Sequence, residues 1–213
     1  MPSIMPAKRY PIPARTHRVQ EEILRSRFIT TVGYAPTVPE ARAFIQAIRQ
    51  EFPDATHNVW AYVVGPPGST AQIGYSDDGE PHGTAGRPAF TVLQHSGIGD
   101  IVAVVTRYFG GTKLGKGGLV RAYSNGVKLA LESLPLAEHR AMTQLQARIP
   151  YAFITPLQRL LPDYEAEIAS QDFGTDVTYL LRLPEERVQP FIDAVVGLTH
   201  GAARIQIAED GTA

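Results

Sequence analysis

Five cationic side chains, Arg107, Lys113, Lys116, Arg121 and Lys128, fall between Thr106 and Lys128 together with six glycines and no carboxylate. Glycine lets backbone N–H groups come close to a ligand, and Lys and Arg without local counter-charges attract anions. The pattern calls for a phosphate-bearing partner. Gly110-Gly-Thr-Lys-Leu-Gly-Lys116 repeats the start of the nucleotide loop G-x-x-x-x-G-K-[ST], but Gly117 stands where a hydroxyl would hold Mg²⁺. No apolar strand ending in Asp follows at the place that would supply the second metal contact, which argues against nucleotide hydrolysis. Two readings of the glycines stay open: a tight strand-to-helix turn, and contact with a phosphate backbone.

Ser76-Asp-Asp-Gly-Glu-Pro-His-Gly-Thr-Ala-Gly86 places Asp77, Asp78, Glu80 and His82 in one short loop, with Asp54 and His57 shortly before it. Such oxygen and nitrogen donors suit a hard metal or paired-carboxylate acid–base work. The spacing fits no EF-hand, and no His-x-x-x-His pair exists. Asp beside Gly also builds turns and caps through side-chain to backbone hydrogen bonds. We therefore expect no metal, no cofactor and no catalytic residue, and assign Asp77, Asp78 and Glu80 to a loop with a structural or binding role. Trp60, on an apolar run, reads as core.

Elements must position these groups. Arg15 to Leu24 and Ser26 to Tyr34 read as an antiparallel strand pair. Thr37-Val-Pro-Glu40 has capping-box spacing with Pro in the first turn, and Val38, Ala41, Phe44, Ile45 and Ile48 follow at helical spacing. Asn58 to Val64 and Ile101 to Phe109 read as strands, 74–88 as a polar loop, and Pro88 to His95 as a short helix. A helix over Gly118 to Ser133 would bury Val120, Tyr123, Val127, Ala130 and Leu134 and leave Arg121, Asn125 and Lys128 on the opposite face. Strand alternation puts Arg107 and Phe109 on one face and Tyr108 on the other, with Phe109 read as core and, in the alternative, as a ring on which a base stacks.

After residues 134–142, which read as a linker, the elements run strand, helix, two strands joined at Asp172-Phe-Gly174, helix and strand. That βαββαβ order is the ferredoxin-like split motif. Residues 1–140 hold 15 Lys and Arg against 11 Asp and Glu, whereas 141–213 hold 5 against 10. The split fits two units, with a polyanion meeting the first, although ordinary surface variation gives such numbers too. Zero cysteines exclude disulfides and thiolate chemistry, and no apolar run is long enough to span a bilayer or to act as a signal peptide. The expected location is the cytoplasm, away from membranes.

Three blocks resemble the IMPACT/YigZ family. They are Asp54-Ala-Thr-His-Asn-Val-Trp-Ala-Tyr62, Ser76-Asp-Asp-Gly-Glu-Pro81 with Gly83-Thr-Ala-Gly86, and Val105-Thr-Arg-Tyr-Phe-Gly-Gly111 continuing to Gly117-Gly-Leu-Val-Arg-Ala-Tyr123. The resemblance implies an α+β chain of two domains: a ribosomal-protein-S5-domain-2-like domain over 1–135 and a ferredoxin-like domain over 141–213. It also implies a likeness to two consecutive domains of the ribosomal translocase elongation factor G. Eukaryotic relatives regulate translation by blocking activation of the starvation-response kinase that phosphorylates an initiation factor, and bacterial members are proposed to bind nucleic acid or the ribosome. The sequence begins without an RWD-type domain, so the kinase role is not expected to carry over. Val59 stands where relatives often have Cys, and Lys113 and Lys116 where relatives can have uncharged residues.

Taken together, these readings describe a non-enzymatic protein that binds RNA or the ribosome through Arg107, Lys113, Lys116, Arg121 and Lys128 and regulates translation, with a protein partner in translation as a further expectation. The alternative is an enzyme or binding protein for a small phosphorylated ligand, using the glycine loop and the Asp77, Asp78 and Glu80 loop.

Overall fold

The computed structural model describes residues 9–208. Contacts divide the chain into residues 1–139 and 140–213, each with its own apolar core. The first unit is built on a five-stranded antiparallel sheet of β2 (His17–Ile23), β3 (Ser26–Tyr34), β4 (His57–Val64), β5 (Gln72–Ser76) and β6 (Ile101–Tyr108) in the order β2-β3-β6-β4-β5. The central strand β6 is buried from Ile101 to Arg107, so its near-continuous apolar run reflects a sheet covered on both faces.

Alternation along β6 sorts the two cores. Val102 and Val104 face α1 (Val38–Glu51) with Ala41, Ile45 and Ile48, while Ile101, Ala103 and Val105 face α2 (Gly86–Gln94) and α3 (Gly115–Glu132). Helix α1 starts with half of the expected capping box: Thr37 Oγ1 accepts from the Glu40 N–H at 3.3 Å, while the Glu40 carboxylate accepts from the Thr37 hydroxyl at 2.6 Å in place of the Thr37 backbone N–H.

Three strands were not expected. β5 runs into the start of the 74–88 segment read as loop, and β1 (Arg9–Pro13) pairs with β7 (Leu136–Arg140) in a separate two-stranded sheet that includes much of the expected linker. Buried Asp100 is the anchor beside them. It accepts from Tyr10 Oη at 2.8 Å and from the Gly65 N–H at 2.7 Å, while the His139 ring stacks on Tyr10 with centroids 4.4 Å apart. Burial first, then the hydrogen bond to Asp100 and the Asp100 charge, pushes the Tyr10 hydroxyl well above its ordinary pKa.

The second unit has the order β8 (Met142–Ile149), α4 (Ile154–Leu160), β9 (Glu167–Phe173), β10 (Val177–Pro184), α5 (Val188–Leu198) and β11 (Arg204–Ile207). The strands form an antiparallel sheet, β11-β8-β10-β9, which is the expected βαββαβ arrangement. Leu145, Ala147, Ile149, Tyr179, Leu181 and Leu183 form one sheet face packed on Leu157, Phe191 and Val195 of the two helices. Gln144, Gln146, Arg148 and Arg182 alternate onto the other face and are exposed. Among the described residues, no helix is long and apolar enough to cross a membrane.

Candidate polyanion site

The end of β6 is held by its neighbours before the glycine segment begins. The Arg107 carbonyl accepts from the Thr56 N–H at 2.9 Å, the Phe109 N–H donates to Thr56 Oγ1 at 3.0 Å, and the Gly110 N–H donates to Ser26 Oγ at 3.1 Å. A Cβ on Gly110 would lie 2.0 Å from the backbone carbonyl of Arg25, so only glycine fits where this segment crosses the β2–β3 turn. The structural reading of the glycines holds in this form: Gly110 permits the close approach, and Gly111 and Gly115 adopt left-handed backbone. Leu24 and Arg25, the two residues of that β2–β3 turn, both adopt left-handed backbone.

Helix α3 begins at Gly115, three residues before the expected start, so Lys116 lies in its first turn. No side chain caps this end, which leaves backbone N–H groups and the positive end of the helix dipole available to an anion. The helix buries Leu119, Ala122, Tyr123, Gly126, Val127 and Ala130. Val120, expected in that stripe, is 37% exposed because it lies one step round the helix from buried Leu119. Arg121, Asn125 and Lys128 face outward as expected.

The five predicted cations separate into two groups. Lys113, Lys116, Arg121 and Lys128 are exposed, and among the described residues none of them is within ion-pairing distance of a carboxylate. Arg107 is 5% exposed. Its Nη1 donates to Glu80 Oε1 at 2.5 Å, and Tyr123 Oη donates to the same oxygen at 2.7 Å. Burial first, then the Glu80 charge, raises the Tyr123 hydroxyl far above its ordinary pKa. This triad ties β6, the 76–86 loop and α3 together, and it directs Arg107 inward where solvent-facing contact was expected.

The acidic loop is likewise spoken for. Asp77 accepts from the backbone N–H groups of Gly83 at 2.8 Å, Ala85 at 3.1 Å and Gly86 at 2.8 Å, closing the N-terminus of α2 that has no cap of its own. Burial opposes its charge, but the three N–H donors, aided by His82, prevail and hold the Asp77 carboxyl below its ordinary value. Gly86 sits hard on β5: a Cβ there would be 2.5 Å from the Ser76 carbonyl carbon. Asp78 pairs with Arg49 and accepts from the Asn58 N–H at 2.6 Å, and its carbonyl accepts from His57 Nδ1 at 2.7 Å. The three carboxylates thus point at three different partners, and among the described residues no group of three or more His, Asp or Glu is placed to hold a metal ion.

Both segments border one cavity of about 380 Å³. His57 and Arg107 contribute from the sheet, Glu80 from the acidic loop, Lys113 and Lys116 from the glycine segment, and Phe109, Leu114 and Leu119 supply apolar surface. Phe109 reads as core from the sequence, yet it is 47% exposed because β6 ends at Tyr108 and the chain leaves the sheet there. The meeting of Glu80, Arg107 and Tyr123 had no local signal, since Glu80 and Tyr123 are 43 residues apart.

Comparisons with known proteins identify the family of both units. Residues 24–131 match the Impact N-terminal domain, and residues 148–202 match a domain of unknown function, DUF1949. An IMPACT family member of Haemophilus influenzae is 41% identical over 95% of this chain and 98% of its own length. The IMPACT family member YigZ of Escherichia coli is 39% identical over 93% of this chain and 98% of its own. A crystal structure described as that of a hypothetical protein superposes with a TM-score of 0.67 at 38% identity, covering 96% of this chain and all of that one. With its first unit matched by the Impact N-terminal domain and near-complete relatives on either side of 40% identity, the chain belongs to the IMPACT family.

Proposed function

We propose that the chain is a non-enzymatic RNA-binding protein that meets RNA, on the ribosome or free, through the glycine segment and the outward face of α3, in a role connected with translation. The observation that carries this reading is the set Lys113, Lys116, Arg121 and Lys128, all exposed and without ion-pair partners among the described residues. Exposed cations of this kind neutralise phosphates and release counterions, which supplies most of the affinity of sequence-independent binding. Arg107 serves as a positioning residue, because its bond to Glu80 holds the segment that presents the others. The internal bonds of Asp77, Asp78 and Glu80 favour binding over catalysis, and membership in the IMPACT family supports the link to translation.

Co-sedimentation with ribosomes, with and without nuclease treatment, tests the choice of partner. The proposal expects recovery in the ribosomal pellet at low salt, loss after nuclease, and loss in Lys116→Ala/Arg121→Ala/Lys128→Ala. Recovery that survives nuclease and is indifferent to the triple variant would instead favour a protein partner.

A further inference from the structure

We infer that the cavity beside the glycine segment is a one-nucleotide pocket, taking a nucleoside monophosphate unit with its phosphate at the start of α3 and its base against Phe109. The inference rests on the RNA-binding reading only where the unit belongs to an RNA chain; the same chemistry is offered by a free mononucleotide.

Size and wall chemistry come first. At about 380 Å³ the cavity falls in the range of sites that enclose a small ligand, roughly 300–1,000 Å³, and is too small for a duplex. Lys113 and Lys116 stand on the side where α3 begins, and α3 has 18 residues and no capping side chain. Two mobile ammonium groups beside free helical N–H donors form a phosphate cradle.

A buried donor makes the second point. Arg107 lines the cavity at 5% exposure, and its Nε has no partner among the described residues. A buried guanidinium N–H left unmet is costly; Nε is sealed from solvent, so an acceptor on an entering ligand removes that cost once the Arg107 side chain shifts to open it to the cavity. Glu80 also lines the cavity without repelling an anion, because Oε1 already accepts from Arg107 and Tyr123.

Phe109 selects a nucleotide over inorganic phosphate. Its ring is 47% exposed on the cavity wall, with the Arg107 guanidinium carbon 5.5 Å from its centroid. An exposed aromatic ring among cations is the stacking platform that single-strand sites use, and stacking tolerates any base.

Calorimetric titration of the whole chain with adenosine monophosphate, adenosine, inorganic phosphate and a 5′-phosphorylated oligoadenylate tests the pocket. Adenosine monophosphate is expected to bind at least about tenfold more tightly than adenosine or phosphate alone. Phe109→Ala, Phe109→Leu and Lys116→Ala are each expected to weaken it about tenfold, as loss of one stacked base or one phosphate contact does. Arg42→Ala, on the α1 face of the sheet, serves as the control and is expected to change nothing. Displacement of the oligonucleotide by excess mononucleotide would assign the pocket to a unit of RNA, and mononucleotide binding without displacement would assign it to a free nucleotide. Oligonucleotide binding that ignores mononucleotide and Phe109→Ala would overturn the pocket while leaving the RNA reading in place. Mononucleotide binding with no oligonucleotide binding would do the reverse.

Discussion

The hydroxyl of Tyr123 on α3 donates a 2.7 Å hydrogen bond to the Glu80 carboxylate, on an oxygen that also accepts from Arg107. Three elements distant in sequence therefore share one buried oxygen, and the cationic helix is registered against the sheet by polar as well as apolar contacts. Phe28 packs edge-on against the same Tyr123 ring, with centroids 5.5 Å apart.

Removing parts of the triad should have unequal costs. Tyr123→Phe loses one donor while Glu80 keeps Arg107, and about 1–3 kcal/mol of stability should go. Glu80→Gln leaves Arg107 buried without its counter-charge and should cost about 3–5 kcal/mol. Urea unfolding of both variants checks the order; equal losses would mean that Arg107 finds another partner.

Acid should act partly through Asp77. Its carboxyl is held below the ordinary value in the fold, so its contribution is complete above the unfolded-state pKa of about 3.9 and disappears as pH falls through the folded one. Asp77→Asn turns one acceptor oxygen into an NH₂ group and should cost about 1 kcal/mol at neutral pH, as loss of a backbone hydrogen bond does, and should flatten the decline in urea midpoint below about pH 4. An unchanged acid profile in this variant would remove Asp77 from the account.

Base should act through Tyr10 and Tyr123, whose hydroxyls are raised by burial and by Asp100 and Glu80 respectively. A group raised in the fold contributes fully below its unfolded pKa, about 10 for Tyr, and its contribution fades as pH climbs toward the folded value. Phenolate absorbance of the native chain should lag behind that of the urea-unfolded chain above about pH 10, and Tyr10→Phe/Tyr123→Phe should narrow the gap.

Gly110→Ala forces a methyl group into the Arg25 carbonyl, so the segment or the β2–β3 turn must move. The expected cost is at the upper end of overpacking, about 3 kcal/mol, together with weaker RNA binding. Loss of stability with RNA affinity intact would separate the turn from the binding surface.

Local rules carried much of the fold. Thr37, Pro39 and Glu40 define the start of α1, and apolar spacing placed Ala41, Ile45 and Ile48 on the core. Where pairing is remote, such rules are silent: β1 and β7 lie more than a hundred residues apart, and the part-exposed edge strand β5 shows no clean alternation. The same limit governs the site. Lys113, Lys116, Arg121 and Lys128 lie where charge and periodicity place them, at the surface. Arg107 carries the same charge but turns inward, since its environment is set by Glu80 and Tyr123, which only the folded chain brings to it.

The central claim is that exposed cations on the glycine segment and α3 hold a phosphate backbone, and the salt dependence of RNA affinity tests it most directly. Fluorescence anisotropy with a labelled single-stranded RNA should give a logarithmic salt slope that shrinks by about 0.7 for each phosphate contact removed, so Lys116→Ala/Arg121→Ala/Lys128→Ala should flatten it by about 2. An affinity and slope identical to those of the unmodified chain would contradict the account.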